Sequence, residues 1–448
     1  MYVCGPTVQS KPHIGHGRAA VSFDVVRRYL EWLSYEVTYV QNITDVDDKI
    51  IDTAKKQDRS VEEVVAESIE AFRMAYRFLG VIEPTVEPRA TEHVPEMIGL
   101  IQDLIEGEHA YQANGDVYFA VRSFSNYGKL SGRNIDGLME KTRIESGEYK
   151  RDPLDFALWK AAKPEEPTWE SPWGPGRPGW HIECSAMARQ YLGDAFDIHA
   201  GGSDLIFPHH ENEIAQAEAA TERTFCRYWI HNGMVNLSGE KMSKSTGHSV
   251  DLLEILKHYK PLAVRLFYLR THYRKSLDFS AVALEDAERS LERIWAFRRR
   301  SSELIKSSPD MATLERFKSV VGKDFDMSGG LAVLFDTVRE GNALLDAGAD
   351  ASRLFAAYDE IVGVLGIAQP EDDFAAVSDG IEALVVKYGL DAVLERGNPV
   401  GIIDLLVAHR TSAREEGDYA TSDVLREDLA GLGIIVEDTI DGTRWHRS

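Results

Sequence analysis

Residues 2–8, YVCGPTV, are a short apolar run that closes on a Gly-Pro turn, and soon after it the hydrophobic period changes. From Gly15 to Leu33, Ala20, Phe23, Val26, Tyr29, Leu30 and Leu33 recur at three- and four-residue steps, the spacing of one helix face. Residues 35–44, YEVTYVQNIT, then alternate and are dense in β-branched and aromatic side chains, which predicts a second strand. Strand, helix, strand in that order predicts a right-handed βαβ unit, and with it an α/β fold around a parallel sheet.

Further along, 61–80 and 93–106 read as amphipathic helices, separated by the breaks at Pro84 and Pro88. AYQANGDVYFAV follows, and its Asn114-Gly115 pair predicts a hairpin, because both residues tolerate positive φ. This stretch reads as an insertion of different character within the α/β domain. The Pro-, Gly- and Trp-rich segment 163–180 reads as a rigid loop, and another α/β stretch runs to about residue 240. Residues 281–306, 310–320, 328–346, 350–365 and 376–388 predict successive helices of a bundle. The end, 401–448, predicts two helices and a hairpin turning at Asp441-Gly442. There is no internal repeat and no low-complexity tail.

At 448 residues with 44% hydrophobic and 27% charged, the chain has ordinary globular composition. No apolar run approaches the ~18 residues of a membrane span, so no membrane association is expected. The three scattered cysteines, Cys4, Cys184 and Cys226, fit a reducing, cytoplasmic setting better than a disulfide scaffold. A formal net charge of −23, from 50 basic and 73 acidic residues, argues against bulk attraction to nucleic acid and leaves only local basic patches for it.

Two short motifs carry chemistry. In KPHIGHGRAA, His13 and His16 are three apart at a helix start, where unpaired backbone N–H groups favour an anion such as phosphate. Gly15 between them allows close approach to the backbone. In GEKMSKSTGH, Lys241 and Lys244 straddle a small hydroxyl residue between glycines, which suits a mobile loop closing on polyphosphate. A third constellation joins Cys4, Cys184 and the stretch FPHHENE, where His209 and Glu213 lie four apart on one helix face. Two thiolates, an imidazole and a carboxylate make a plausible zinc set, although the spacing leaves His210 open in place of His209. The carboxylates Asp45, Asp47 and Asp48 read as helix capping rather than as magnesium ligands. Cys226 reads as structural, and FRRRS at 297–301 as a solvated helix face.

HIGH and KMSKS together, in this order, resemble the paired signatures of class I aminoacyl-tRNA synthetases. The whole chain resembles cysteinyl-tRNA synthetases, through YVCGPTV, HIGHGR, YVQNITDVDDKI, GRPGWHIECSAMA, DIHAGGSDLIFPHHENEIAQ, KMSKS and DGTRW. That resemblance implies a Rossmann-like catalytic domain in two halves, 1–84 and 166–240, around a connective insertion at 85–165. It implies a signature-loop and stem-contact region at 241–290, a helical bundle at 291–395 and a small α/β anticodon-binding piece at 396–448, where Arg444 and Trp445 would meet the anticodon.

In such enzymes L-cysteine is activated by ATP with Mg2+ and joined to tRNA(Cys). The resemblance implies that His13, Gly15, His16, Lys241 and Lys244 act on ATP. It implies one zinc ion on Cys4, Cys184, His209 and Glu213, which takes the substrate thiolate. Thr7, Trp180 and Asp204 would hold the rest of the amino acid. A monomer without a separate editing domain is expected, because a zinc–thiolate bond separates cysteine from serine where shape alone supplies roughly one to a few kcal/mol. Alternatives are a cysteine ligase that acylates an amino sugar and a non-catalytic zinc- and RNA-binding paralogue. The chain departs from the family at Gln9-Ser10, where Tyr-Asp is usual, and at Gly247-His248, where Gly-Asn is usual. It also lacks the family's leading segment before YVCG, so a stability below that of a longer form is expected.

Overall fold

The computed structural model describes residues 1–134, 149–237, 240–241, 250–301, 304–305, 307–369, 377–390, 399–439 and 442–447. Two compact units divide the chain, Met1–Ala368 and Gln369–Ser448.

The first unit is built on a four-stranded parallel sheet. In spatial order its strands are Val40–Gln41, Tyr2–Val3, Phe196–Gly202 and Cys226–Asn232. Counted along the chain this is the order 2-1-3-4, so the direction of winding switches between the first and third strands. At such a point the carboxyl ends of the strands open a crevice for ligands. Cys4 and the helix Ile14–Trp32 follow the first strand, and Asp204 lies just beyond the end of the third. Phe23 and Val26 of that helix pack on the sheet with Val3, Ala200 and Ile230. Its other face, Ile14, Val21, Val25 and Tyr29, enters the core shared with the later helices. A helix buried on both sides explains why its apolar pattern is broad.

The strand predicted over 35–44 is shorter, with regular pairing only at Val40–Gln41. Its start is exposed at Tyr35, and its outer edge meets residues 85–89 in isolated bridges, Val40 to Val86 and Ile43 to Arg89. Pro84 and Pro88 bracket that neighbour, and a residue without an N–H cannot extend a ladder. Past the Gly5-Pro6 interruption the pairing resumes at Thr7 and Thr44.

The insertion contains an antiparallel sheet of Ala110–Ala113, Asp116–Phe119, Phe156–Ala161 and Gly176–Pro178. The hairpin falls at Asn114-Gly115, with φ of 52° and 85°. Gly176–Pro178 comes from the segment read as a loop, and as an edge strand it tolerates its proline. Among the described residues the insertion shares its core with the catalytic segments. Val94, Met97, Leu100 and Leu104 pack in one cluster with Ile182, Cys184, Met187 and Ile214.

The three early carboxylates do three different jobs. Only Asp47 is a helix cap, accepting from Lys49 N at 2.9 Å. Asp45 is buried on Thr91, and Asp48 pairs with Lys160 and Arg177, tying the helix Asp48–Gln57 to the inserted sheet. Four helices follow, Ala281–Arg300, Met311–Val321, Met327–Asp346 and Ser352–Leu365. In FRRRS, Arg299 and Arg300 are engaged with Glu292 and Asp346. Cys226 is buried, its thiol hydrogen-bonded to Asp197 O and Tyr228 O and pushed up to about 12 by burial.

The helix Ser378–Lys387 packs in the second unit. Ile381 and Val385 join Ile402, Leu406, Leu425 and Leu429, under the hairpin of Ile434–Thr439 and Gly442–Arg447. It was expected in the preceding bundle, but its apolar face completes this smaller core. The turn expected at Asp441-Gly442 lies partly outside the described residues.

Asp24 anchors the long helix of the first unit. It accepts from Arg265 and from Arg28 and Ile82 N at 2.7 and 2.8 Å, with both Asp24 and Arg265 almost fully buried. Burial raises its carboxyl, but the two guanidiniums and the backbone N–H more than offset this and hold it below the ordinary range. Asp24→Ala leaves Arg265 charged and unpaired, so urea melts of the full chain should show a loss of about 3–5 kcal/mol. The native pair's contribution should fade only as pH falls below the ordinary carboxylate range, because the folded-state value is the depressed one.

Candidate active site and metal centre

Cys4 is the first residue past the first strand, its N–H bonded to Ala200 O at 3.0 Å. Gly5 follows, and a Cβ there would lie 1.5 Å from Asn42 O, so the two segments approach in a way only glycine permits. Cys184 comes from the helix Trp180–Leu192. Glu213 comes from the first turn of Glu211–Thr221, and His209 and His210 from the turn before it. These segments converge. Cys4 Sγ lies 3.8 Å from Cys184 Sγ and 3.5 Å from Glu213 Oε1, and His209 Nε2 lies 3.1 Å from Glu213 Oε1. His210 Nε2 is 3.3 Å from Cys4 Sγ, and His199 Nε2 is 2.8 Å from Glu213 Oε2.

Two ligand sets therefore share Cys4 and Glu213. One adds Cys184 and His209, and the other adds His199 and His210; within each set the donor atoms lie within 4.8 Å of one another. The two rival imidazoles are prepared alike. His209 Nδ1 meets His181 Nδ1 at 2.9 Å and His210 Nδ1 meets His231 Nε2 at 2.8 Å, so each directs Nε2 inward. Burial pulls His209 down to about 3 and His210 well below its usual value, which keeps both rings neutral, as metal ligands must be. Burial pushes Cys4 well up. For Cys184 the hydrogen bond from Cys4 acts downward, and burial with the nearby carboxylates outweighs it. Both thiols thus need a cation beside them to ionise.

His199 separates the two sets. Its Nδ1 is buried without a hydrogen-bond partner among the described residues. If Nε2 became a metal ligand the ring proton would move to Nδ1, leaving a buried unpaired N–H at roughly 1–3 kcal/mol. With the proton on Nε2 the ring instead donates to Glu213 and orients its carboxylate, the usual task of a group behind a ligand.

Trp180, half-buried, stacks on His209 with ring centres 4.3 Å apart and 23° between planes. Thr7 is half-buried beside Thr44. Asp204 is exposed in the turn after the third strand, against the bare Gly202, and makes no hydrogen bond to a described residue. The sequence reading passed over a polar chain behind the thiols. Cys184 Sγ faces Asn42 Oδ1 at 3.7 Å, Asn42 Nδ2 donates to Thr44 Oγ1 at 3.2 Å, and Thr44 donates to Glu183 Oε2 at 2.9 Å. Its signal was the i, i+2 spacing of Asn42 and Thr44 at the end of a strand, on the face that Gly5 leaves open.

His13 is the N-cap of its helix. His13 Nδ1 accepts from Gly15 N and His16 Nδ1 accepts from His13 N, both at 3.1 Å, and the rings stack 3.7 Å apart. With both Nδ1 atoms accepting, the proton of each neutral ring sits on Nε2. The bare position at Gly15 is occupied by the His13 ring, 3.0 Å from where a Cβ would stand. Beside His13 lies a cavity of about 450 Å3 lined by Gln9, Lys11, Arg59 and Asp251 among others. Of the second signature, Lys241 has its backbone in the strand Glu240–Lys241, paired with Asn236, while Lys244 lies outside the described residues, as does Gly247-His248. Where the chain resumes, Ile14 N bonds Val250 O at 3.1 Å and Leu252 N bonds Pro12 O at 2.9 Å.

Comparison with known proteins agrees with this architecture. Residues 1–289 match the model of the class I (C) tRNA synthetase catalytic domain, and residues 402–445 that of the cysteinyl-tRNA ligase anticodon binding domain. A cysteine–tRNA ligase of Halorhodospira halophila is 48% identical over 452 residues, 100% of this chain and 95% of that one. One from Syntrophotalea carbinolica is 45% identical over 462 residues, 99% and 94%. Among solved structures, Mycobacterium tuberculosis methionyl-tRNA synthetase with methionyl-adenylate superposes with a TM-score of 0.57 at 15% identity, covering 82% of this chain and 89% of that one, a likeness of fold. The relatives' names and the matches to both the catalytic and the anticodon binding domain favour tRNA charging over an amino-sugar ligase or a non-catalytic paralogue. No helix among the described residues is long and apolar enough to cross a membrane. The chain belongs to the cysteine–tRNA ligases, class I synthetases that join cysteine to tRNA.

Proposed function

We propose that this chain charges tRNA(Cys) in the cytoplasm, as a monomer, through a cysteinyl-adenylate, and selects its amino acid by a zinc–thiolate bond on Cys4, Cys184, His209 and Glu213. The observation that carries the reading is the convergence of these four donors, and the orphaned Nδ1 of His199 weighs against the other set. Zinc supplies a soft positive centre that ionises and holds the substrate thiol, which a serine hydroxyl cannot match. His199 then holds the Glu213 carboxylate in place, and His181 sets the tautomer of His209. Trp180, stacked on His209, walls the pocket, and Thr7 and Asp204 receive the polar groups of the amino acid.

With the side chain held, the cysteine carboxylate attacks the α-phosphate of ATP in line, and pyrophosphate leaves. His13 and His16 donate from Nε2 to the α-phosphate oxygens, beside the backbone at Gly15. Lys241 and Lys244 draw charge from the leaving pyrophosphate, with Mg2+ accompanying the nucleotide. The terminal ribose of tRNA, at its 2′-hydroxyl, then takes the cysteinyl group, and AMP leaves. Residues 1–84 and 166–240 form the catalytic halves and 396–448 read the anticodon. There Arg444 and Trp445 offer charge and stacking, the indole N–H being held by Asp404 at 2.6 Å.

Purified protein should carry one zinc per chain by atomic absorption, with cysteine-dependent pyrophosphate exchange lost on chelation and restored by zinc. Cys184→Ser and His209→Gln should lose the metal, whereas His199→Gln should keep a site weakened roughly 10–100-fold. Retention by Cys184→Ser with loss in His199→Gln would assign the other ligand set. In the same exchange assay, serine should fall behind cysteine by more than the roughly 10–200-fold that shape supplies; comparable rates would refute selection through the metal.

A further inference from the structure

Arg18 lies two residues past His16 and is completely buried, yet among the described residues it forms no ion pair. Its guanidinium spends itself on backbone carbonyls. Nη1 donates to Met234 O at 2.9 Å, and Nη2 reaches Lys275 O, Tyr273 O at 3.3 Å and His272 O at 3.4 Å. Burial draws it down to about 10, so it remains charged at neutral pH. A buried cation held by carbonyl dipoles alone is costly unless the geometry needs it.

The acceptors mark one place in the fold. Met234 O also accepts from Leu277 N at 2.9 Å, and that bond opens the parallel pairing of Val235–Leu237 with Leu277–Phe279. Val235–Leu237 pairs on its other side with Glu240–Lys241, and Lys241 faces Asn236. Gly233 N bonds Tyr273 O at 2.7 Å, and a Cβ at Gly233 would stand 2.4 Å from Lys275 O. One side chain of the histidine-bearing helix thus grips the root of the three-stranded ribbon that carries the first lysine of the second signature. The far end of the signature segment is already tied to Pro12 and Ile14 by backbone bonds.

We propose that Arg18 is a positioning residue for adenylate formation, setting the distance between the His13–His16 pair and the strand that carries Lys241. This rests on the roles proposed above for those residues. The forked guanidinium spans Met234 and the 272–275 turn at once; an ammonium is a point donor and reaches only one of them. Arg18 itself bonds none of the residues placed in the amino-acid pocket, so the effect should fall mainly on the nucleotide.

The test uses the zinc-loaded full chain in cysteine-dependent pyrophosphate exchange, well below the melting temperature of each variant. Arg18→Met and Arg18→Lys should lower kcat 10–100-fold and raise the KM for ATP at least 5-fold, leaving the KM for cysteine within 2-fold and the zinc content unchanged. Gly233→Ala, which displaces the acceptors and leaves the cation in place, should give the same pattern should the arginine variants not fold. Arg265→Met is the structural control. It is equally buried and binds Leu79 O, Gly80 O, Leu365 O and, farther along the same helix, Asp24, but none of these bonds reaches the ribbon that carries Lys241. It should lower the melting temperature without moving the KM for ATP. Folded Arg18 variants with parental kcat and KM for ATP, or an identical pattern in Arg265→Met, would overturn the inference alone. Absence of cysteine-dependent exchange in the parent protein would overturn the adenylate reading beneath it.

Discussion

Glu213 is a fully buried carboxylate whose oxygens meet one thiol and two imidazoles, at Cys4, His209 and His199. None of these neighbours carries a fixed positive charge, and burial works against protonating His209. A carboxylate in such a place needs a cation. The surroundings are compatible with one: burial holds His209 and His210 neutral, both thiols are pushed up, and His181 and His231 meet the outer nitrogens of those two rings. The unpaired ring nitrogen of His199 bears on which of the two donor sets would face a metal.

The nucleotide side of the site obeys a different constraint, which is mechanical. The two signatures lie more than 200 residues apart in the chain. The long helix holds both ends of the lysine segment, through backbone bonds of Pro12 and Ile14 at one end and the Arg18 fork at the other. Phosphate chemistry rewards donors that are already in place when charge develops. A helix packed into two cores, whose Arg18 also grips the root of the lysine-bearing ribbon, is suited to that demand.

Much of this was legible in the residues. The opening βαβ unit, the hairpin at Asn114-Gly115 and the helical run after residue 281 follow from period and turn chemistry, because those signals are local. The motifs HIGH and KMSKS, with the resemblance they carry, pointed to a synthetase. Less legible were elements whose existence depends on a neighbour. Val40–Gln41 is short because prolines stand beside it, Gly176–Pro178 is a strand because a sheet edge was available, and Ser378–Lys387 joins the smaller core because that core lacked a face. The polar chain from Asn42 to Glu183 was missed for the same reason, since its members become partners only across the sheet.

By itself the sequence determined that this chain would build a parallel α/β core with a phosphate-type helix start, and that soft and hard metal donors were present. Periodicity, capping residues and ligand chemistry are properties of short segments and survive without a structure. Only the tertiary structure decided which donors meet. Spacing could not choose between His209 and His210, both of which turn Nε2 inward, nor reveal that His199 lacks a partner for its second nitrogen. Nor could it show a buried arginine joining two signatures. Those facts depend on distances between segments far apart in the chain, and such distances are set when the cores close.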